Sequence, residues 1–202
     1  DDLREALNAV ADESHAAQLL RRFGAAFPAS YRENVDAASA VEDLESLDRL
    51  SRTELLLKLY RPRNGAPNRL GFKIYRGSAP VPLSDSLPML ERMGVRVLAE
   101  RPYEISPDAG ESMWIHDFEL DAAGGDELDI ERLAPLFEDA FARVFEGRIE
   151  NDDFNRLVLK AGLAADEIVI LRAYAKYLRQ IGFPLSQPYI EATLATHPRI
   201  AG

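Results

Sequence analysis

Residues 53–76 read TELLLKLYRPRNGAPNRLGFKIYR, and their reading decides the fold. The two ends, 53–60 and 70–76, are short runs rich in Leu, Ile, Phe and Tyr, the residues that suit a pleated, half-buried surface. Between them lie Pro62, Asn64, Gly65 and Pro67, which cannot stay regular, so the stretch predicts a β-hairpin with a long loop. Working outward, 83–93 reads as a brief helix begun at Ser84 and ended by Gly94. Residues 95–103 and 113–120 read as two further strands, joined by a loop holding Pro107 and Gly110. After Gly124 and Gly125, the stripe Ile130, Leu133, Phe137, Phe141, Val144 and Phe145 predicts an amphipathic helix stopped by Gly147.

The order over this region is therefore ββαββα. The fold class expected is α+β: a four-stranded antiparallel sheet, ferredoxin-like, with helices on one face. A circular permutation of the ferredoxin-like arrangement gives the spatial order third, fourth, second, first. The first two strands are apolar on both faces: Leu55, Leu57 and Leu59 alternate with Leu56 and Tyr60, and Phe72 and Ile74 point away from Tyr75. An isolated two-layer module keeps its outer face polar. A cover is expected, from the N-terminal helices, a second subunit or the rest of a longer protein.

Helical segments flank the sheet. Through residues 1–50, Leu3, Leu7 and Val10, then Leu19, Leu20 and Phe23, then Val41, Leu44 and Leu47 recur at helical spacing, and Pro28 breaks the run. Ser30 with Glu33 and Ser39 with Glu42 fit the S-x-x-E capping box. At the other end, Asn151 or Asp152 is placed to cap a helix over 153–160 that Gly162 stops. A second helix over 166–181 is expected to bury Ile168, Leu171, Tyr174, Ala175, Leu178 and Ile181 while Arg172, Lys176 and Arg179 stay wet. Gly182 and Pro184 end it, and Ser186 caps a short helix beyond. The expected division is 1–50 helical, 51–148 α+β and 149–202 helical. No internal repeat or low-complexity tract is present.

The chain has 202 residues, 34 acidic against 24 basic, for a formal charge of -10. That charge repels phosphate backbones and anionic lipid, so nucleic acid and membrane are not expected partners. With no cysteine, disulfides, thiolate catalysis and cysteine metal sites are excluded, which fits a reducing compartment; the cytoplasm is the expected location. No apolar run approaches the ~20 residues of a membrane span. The start at Asp1 and the end at Gly202 after a helical run suit an excised segment.

No catalytic, cofactor-binding or metal site is read from the residues. His15, His116 and His197 are too scattered for a metal site. His116 adjoins Asp117, but neighbouring strand residues point to opposite faces and cannot readily pair, so packing among Trp114 and Phe118 is its expected role. Gly124-Gly125 is followed by Asp126 and Glu127, which would repel pyrophosphate, and no G-x-S-x-G elbow exists. Gly77-Ser78 is a turn. Tyr174 and Tyr177 are expected in helix packing. Lys58, Arg61, Arg63, Arg69, Lys73 and Arg76 make the hairpin basic; they either decorate a solvated edge or dock an acidic surface. The one suggestive feature is Ser84-Asp85-Ser86 behind Pro80-Val81-Pro82. Amides at a helix start attract a carboxylate, although Asp85 can itself occupy them or meet a ligand's ammonium group.

Three stretches, residues 69–94 (RLGFKIYRGSAPVPLSDSLPMLERMG), 114–118 (WIHDF) and 171–198 (LRAYAKYLRQIGFPLSQPYIEATLATHP), resemble the large bacterial NAD-specific glutamate dehydrogenases. The resemblance runs from about Tyr31 to Pro198. It implies an ACT-like regulatory module with flanking helices, lying before the catalytic domain; the family's catalytic lysine and dinucleotide loop have no matching positions here. It further implies that this segment is not itself an enzyme and holds no cofactor, while the parent oxidises L-glutamate to 2-oxoglutarate and ammonium using NAD. Implied partners are the rest of the parent enzyme, other subunits of a homo-oligomer, and an amino-acid effector at Ser84, Asp85 and Ser86. A stand-alone amino-acid sensor and a structural oligomerisation module are the alternative readings.

Overall fold

A computed structural model describes residues 3, 5–7, 12–50, 54–63, 65–108, 110–122 and 128–201. Val10, Thr53, Asn64, Gly124, Gly125, Asp126 and Glu127, used in the readings above, lie outside the described residues. In chain order the elements are α1 (Glu13–Phe23), α2 (Ala29–Asn34), α3 (Ala37–Leu50), β1 (Leu55–Tyr60), β2 (Arg69–Gly77), α4 (Leu83–Arg92), β3 (Val95–Ile105), β4 (Met113–Ala122) and α5 (Ile130–Phe145). A 3-10 turn (Asp153–Arg156) then precedes α6 (Leu157–Ala161), α7 (Ala165–Gln180), α8 (Gln187–Thr196) and α9 (Pro198–Ala201).

The strands form one sheet in the order β1-β2-β4-β3, the permuted order that the pattern predicts. Ser78 N–H donates to the Ser112 carbonyl and Ala122 N–H to the Asn68 carbonyl, which pairs the end of β2 with the start of β4 and the end of β4 with the start of β2. Those two strands are therefore antiparallel, and β1 and β3 are the edges.

The chain divides into two compact units, and each strand contributes to both. The first comprises Asp1–Leu57, Lys73–Val81 and Glu100–Asp117. Here Leu19 and Phe23 of α1, Tyr31 of α2 and Leu44 and Leu47 of α3 pack with Tyr75, Tyr103, Ile105, Met113 and Ile115 from the strands. The N-terminal helices thus provide the cover that the second apolar face of β2 demands.

The helix starts differ from the capping boxes expected. α2 begins after Pro28 with no side-chain cap. α3 is capped by Asp36, whose carboxylate accepts both the Ser39 amide and the Ser39 hydroxyl at 2.9 Å. Ser39 therefore lies inside the first turn, three residues after the cap, and aspartate wins because its carboxylate accepts two hydrogen bonds there.

The second unit comprises Lys58–Phe72, Pro82–Ala99 and Phe118–Gly202. Its centre is aromatic. Phe72 of β2 meets Phe137 and Phe141 of α5 edge-on, at centroid separations of 5.3 and 4.9 Å. Burying a phenylalanine this fully contributes about 1.5–3 kcal/mol, and each such ring pair adds about 0.5–1.5 kcal/mol. The C-terminal helices belong to this unit: the 3-10 turn packs on α4, and α6 packs on α5. Arg92 of α4 meets Asp153 at 2.8 Å. Asp152 caps the turn and Ser186 caps α8, as their positions predict. The stop after α7 is also as expected, since Gly182 adopts φ +84°, where a side chain would strain the backbone.

Gly71 is required for another reason. A Cβ there would come 2.1 Å from the Tyr60 ring, which lies across the bare β2 backbone. Gly71→Ala should displace that ring and cost about 1–3 kcal/mol, read as a lower urea midpoint at unchanged m-value.

Candidate functional site

A buried polar cluster lies inside the first unit and centres on Asp43. Ala40, Leu44 and Leu47 place one face of α3 in the core, and Asp43 shares that face by helical spacing, only 1% exposed. The Lys73 ammonium donates to both of its oxygens, at 2.8 and 2.7 Å. The Tyr31 and Tyr75 hydroxyls each donate to the same carboxylate at 2.6 Å. Asp43 is thus saturated by four hydrogen bonds, which is what an ionised carboxylate needs to survive burial. Burial first, and then the Asp43 charge, push both phenols well above the usual tyrosine range. Lys73 is therefore no member of a solvated basic hairpin. It lies one residue from Phe72 on β2, on the face that meets α3, and alternation sends it into the core.

His116 is placed by β4 and is 3% exposed. Its Nε2 accepts the Val81 amide at 3.0 Å and its Nδ1 lies 2.8 Å from Glu100 Oε1. With Nε2 accepting, Nδ1 carries the proton and donates to Glu100, a partner sixteen positions away that adjacency to Asp117 does not suggest. Both ring nitrogens are committed, so the imidazole pins the Val81 segment to the sheet and has no nitrogen left to move a substrate's proton. Trp114 stacks beside it at 6.2 Å.

The suggestive helix start is only partly available. Ser84 and Asp85 are exposed, with the Ser84 hydroxyl 3.3 Å from Asp85 Oδ1. Ser86 is fully buried and its hydroxyl meets the Pro82 carbonyl. Pro82 occupies the cap position and no side chain caps the first turn. In the first unit an open pocket of about 480 Å³ is lined by Phe27, Ser30, Glu104, Ser106 and Trp114, among others. Glu104 is its one formal charge, the wrong sign for a carboxylate guest.

On α7 the expected faces are rearranged. Arg172 is buried, held by Asp152 at 2.7 and 2.8 Å and by the Asn155 side chain at 3.1 Å. Tyr174 and Tyr177 are 66% and 57% exposed, and Ile181 is also exposed. The helix packs through Ala165, Ile168, Arg172 and Ala175 instead. Arginine wins the inner face because Asp152, committed to capping the 3-10 turn, needs a buried cation. Among the described residues, no group of three His, Asp or Glu side chains could hold a metal ion.

Sheet order and polar clusters together define a class: a permuted ferredoxin-like α+β module with helical flanks, in which the buried Asp43, Lys73, His116 and Arg172 are each paired with another ionisable side chain. Residues 54–133 match the glutamate dehydrogenase ACT3 domain, 6–50 its helical motif 2 and 149–202 its helical motif 3. The chain is 44% identical over 201 residues to the NAD-specific glutamate dehydrogenase of Halomonas elongata, covering 99% of this chain and 12% of that protein. It is 41% identical over 190 residues to the enzyme of the same name from Pseudomonas aeruginosa, covering 94% and 12%. The corresponding figures for the Mycobacterium tuberculosis enzyme are 39% over 181 residues, 87% and 11%. The chain belongs to the NAD-specific glutamate dehydrogenase family, within which it spans an ACT3 domain and two flanking helical motifs. It accounts for about 12% of the length of the first two relatives.

Proposed function

We propose that this chain is a non-catalytic regulatory and architectural segment of an NAD-dependent glutamate dehydrogenase, the parent of which converts L-glutamate, NAD and water to 2-oxoglutarate, ammonium and NADH. The observation that carries the reading is the succession of helical motif 2, ACT3 domain and helical motif 3 along one chain. The commitment of Asp43, Lys73, His116 and Arg172 to structural pairing supports it. We take 1–50, 51–148 and 149–202 as its three parts, with the rest of the parent enzyme and further subunits as partners. No helix among the described residues is long and apolar enough to cross a membrane, and we assign the parent to the cytoplasm.

For an amino-acid effector, the accessible groups are Ser84 and Asp85, with Ser86 serving only to hold the turn. This chain incubated with L-glutamate and NAD should form no NADH above buffer, and turnover would defeat the non-catalytic assignment. Calorimetric titration with a panel of amino acids should give saturable binding that Ser84→Ala or Asp85→Ala weakens. A flat titration removes the effector from the proposal.

A further inference from the structure

We propose that α7 is a self-pairing surface on which a second copy of this chain docks antiparallel about a two-fold axis. On a helix of 3.6 residues per turn, Ile170, Ala173, Tyr174, Tyr177, Leu178 and Ile181 share one arc, opposite the buried Ile168, Arg172 and Ala175. Ile170, Tyr174, Tyr177 and Ile181 are 55%, 66%, 57% and 61% exposed. Their spacing of four, three and four is that of a short coiled-coil seam, and between Ile170 and Ile181 the arc carries no charge, the acidic Asp166 and Glu167 lying on it one turn earlier. Contiguous apolar surface of this kind marks an interaction site, and Phe183 and Tyr189, which follow in the chain, are exposed as well.

The order of residues on the arc identifies the occupant. Read in either direction along the helix, the seam is Ile, Tyr, Tyr, Ile, so an antiparallel copy sets Ile170 against Ile181 and Tyr174 against Tyr177. The same register sets Ala173 against Leu178, a small residue against a large one. Parallel pairing would oppose alanine to alanine and leucine to leucine, leaving a gap in one layer and crowding in the next. It would also align the two acidic first turns, Asp166 and Glu167, and the two helix dipoles. An isologous contact needs a surface complementary to itself, and this arc meets that requirement only in the antiparallel sense. The inference rests on the homo-oligomer in the reading above, and its test involves neither hydride transfer nor the α4 start.

The chain's lack of cysteine makes the test clean. Ile170 and Ile181 lie about 16 Å apart along the axis at ~1.5 Å per residue, whereas a disulfide needs Cα atoms within about 7 Å. Under mild oxidation, Ile170→Cys alone and Ile181→Cys alone should stay unlinked, and an equal mixture should give a covalent dimer. In sedimentation equilibrium the unmodified 202-residue chain should double its mass as concentration rises, and Tyr174→Asp with Tyr177→Asp should remain a monomer with unchanged circular dichroism. An unmodified chain that stays monomeric, its helix face covered in life by another part of a longer polypeptide, overturns the proposal. So does cross-linking of each single variant as efficient as in the mixture, which would mean parallel packing.

Discussion

Asp43→Ala should lower the stability of the chain by about 3–5 kcal/mol, the largest loss expected from any single side chain here. The substitution strands the Lys73 ammonium, 5% exposed, and removes the shared acceptor of the Tyr31 and Tyr75 hydroxyls. A lone buried charge costs far more than the pair contributes, because burial strips its hydration and nothing replaces it. Adding Lys73→Met to Asp43→Ala should recover part of the loss, since an apolar side chain of similar length leaves no charge unpaired. Urea unfolding of the two single variants and the double supplies the cycle. Additive losses would show that the pair is not coupled and that the buried ion pair is not what holds α3 to β2.

Raising the pH from 9 to 11 should cost a further ~3 kcal/mol through Tyr31 and Tyr75. Burial and the neighbouring carboxylate raise both folded phenols above the ordinary value near 10. Above pH 10 the unfolded chain releases both protons while the folded chain keeps them, so the unfolded state binds fewer protons and becomes favoured. The tyrosine contribution is complete below about pH 10 and falls by about 1.4 kcal/mol per unit per phenol once well above it. Tyr31→Phe with Tyr75→Phe should start less stable at pH 8, having lost two hydrogen bonds to Asp43, yet show a shallower decline to pH 11. Equal slopes in the two proteins would mean that the phenols titrate normally. Tyr103 keeps its own share of the slope, because burial raises it as well.

The pattern from residue 53 onward foretells all four strands, α4, α5 and the order β1-β2-β4-β3, because alternation and breaker residues are local signals that burial of one face then enforces. The strand ends move by about two residues where pairing partners extend them: β3 continues through Ile105 and β4 through Ala122. The Asp43 site had a signal that periodicity alone does not price, an acidic residue inside the apolar stripe of Ala40, Leu44 and Leu47. Its lysine is camouflaged among Lys58, Arg61, Arg63, Arg69 and Arg76. Glu100 on β3 gives no hint that it meets His116, since the two become neighbours only when strands pair. On α7 the apolar residues outnumber what one face can bury, so spacing cannot say which face goes inward; the cap at Asp152 selects the one bearing Arg172.

What the sequence by itself determined is everything written over a few residues: strand and helix positions, the stops at Gly147, Gly162 and Gly182, and the lack of thiol chemistry. The tertiary structure alone decided which charges are buried and with whom, which face of α7 stays in solvent, and how far Ser86 is withdrawn from the surface. The division follows the range of the forces. Hydrogen-bonding and rotamer preferences act along a few residues and leave a local imprint, whereas the free energy of a buried charge depends on partners that chain folding brings from tens of positions away.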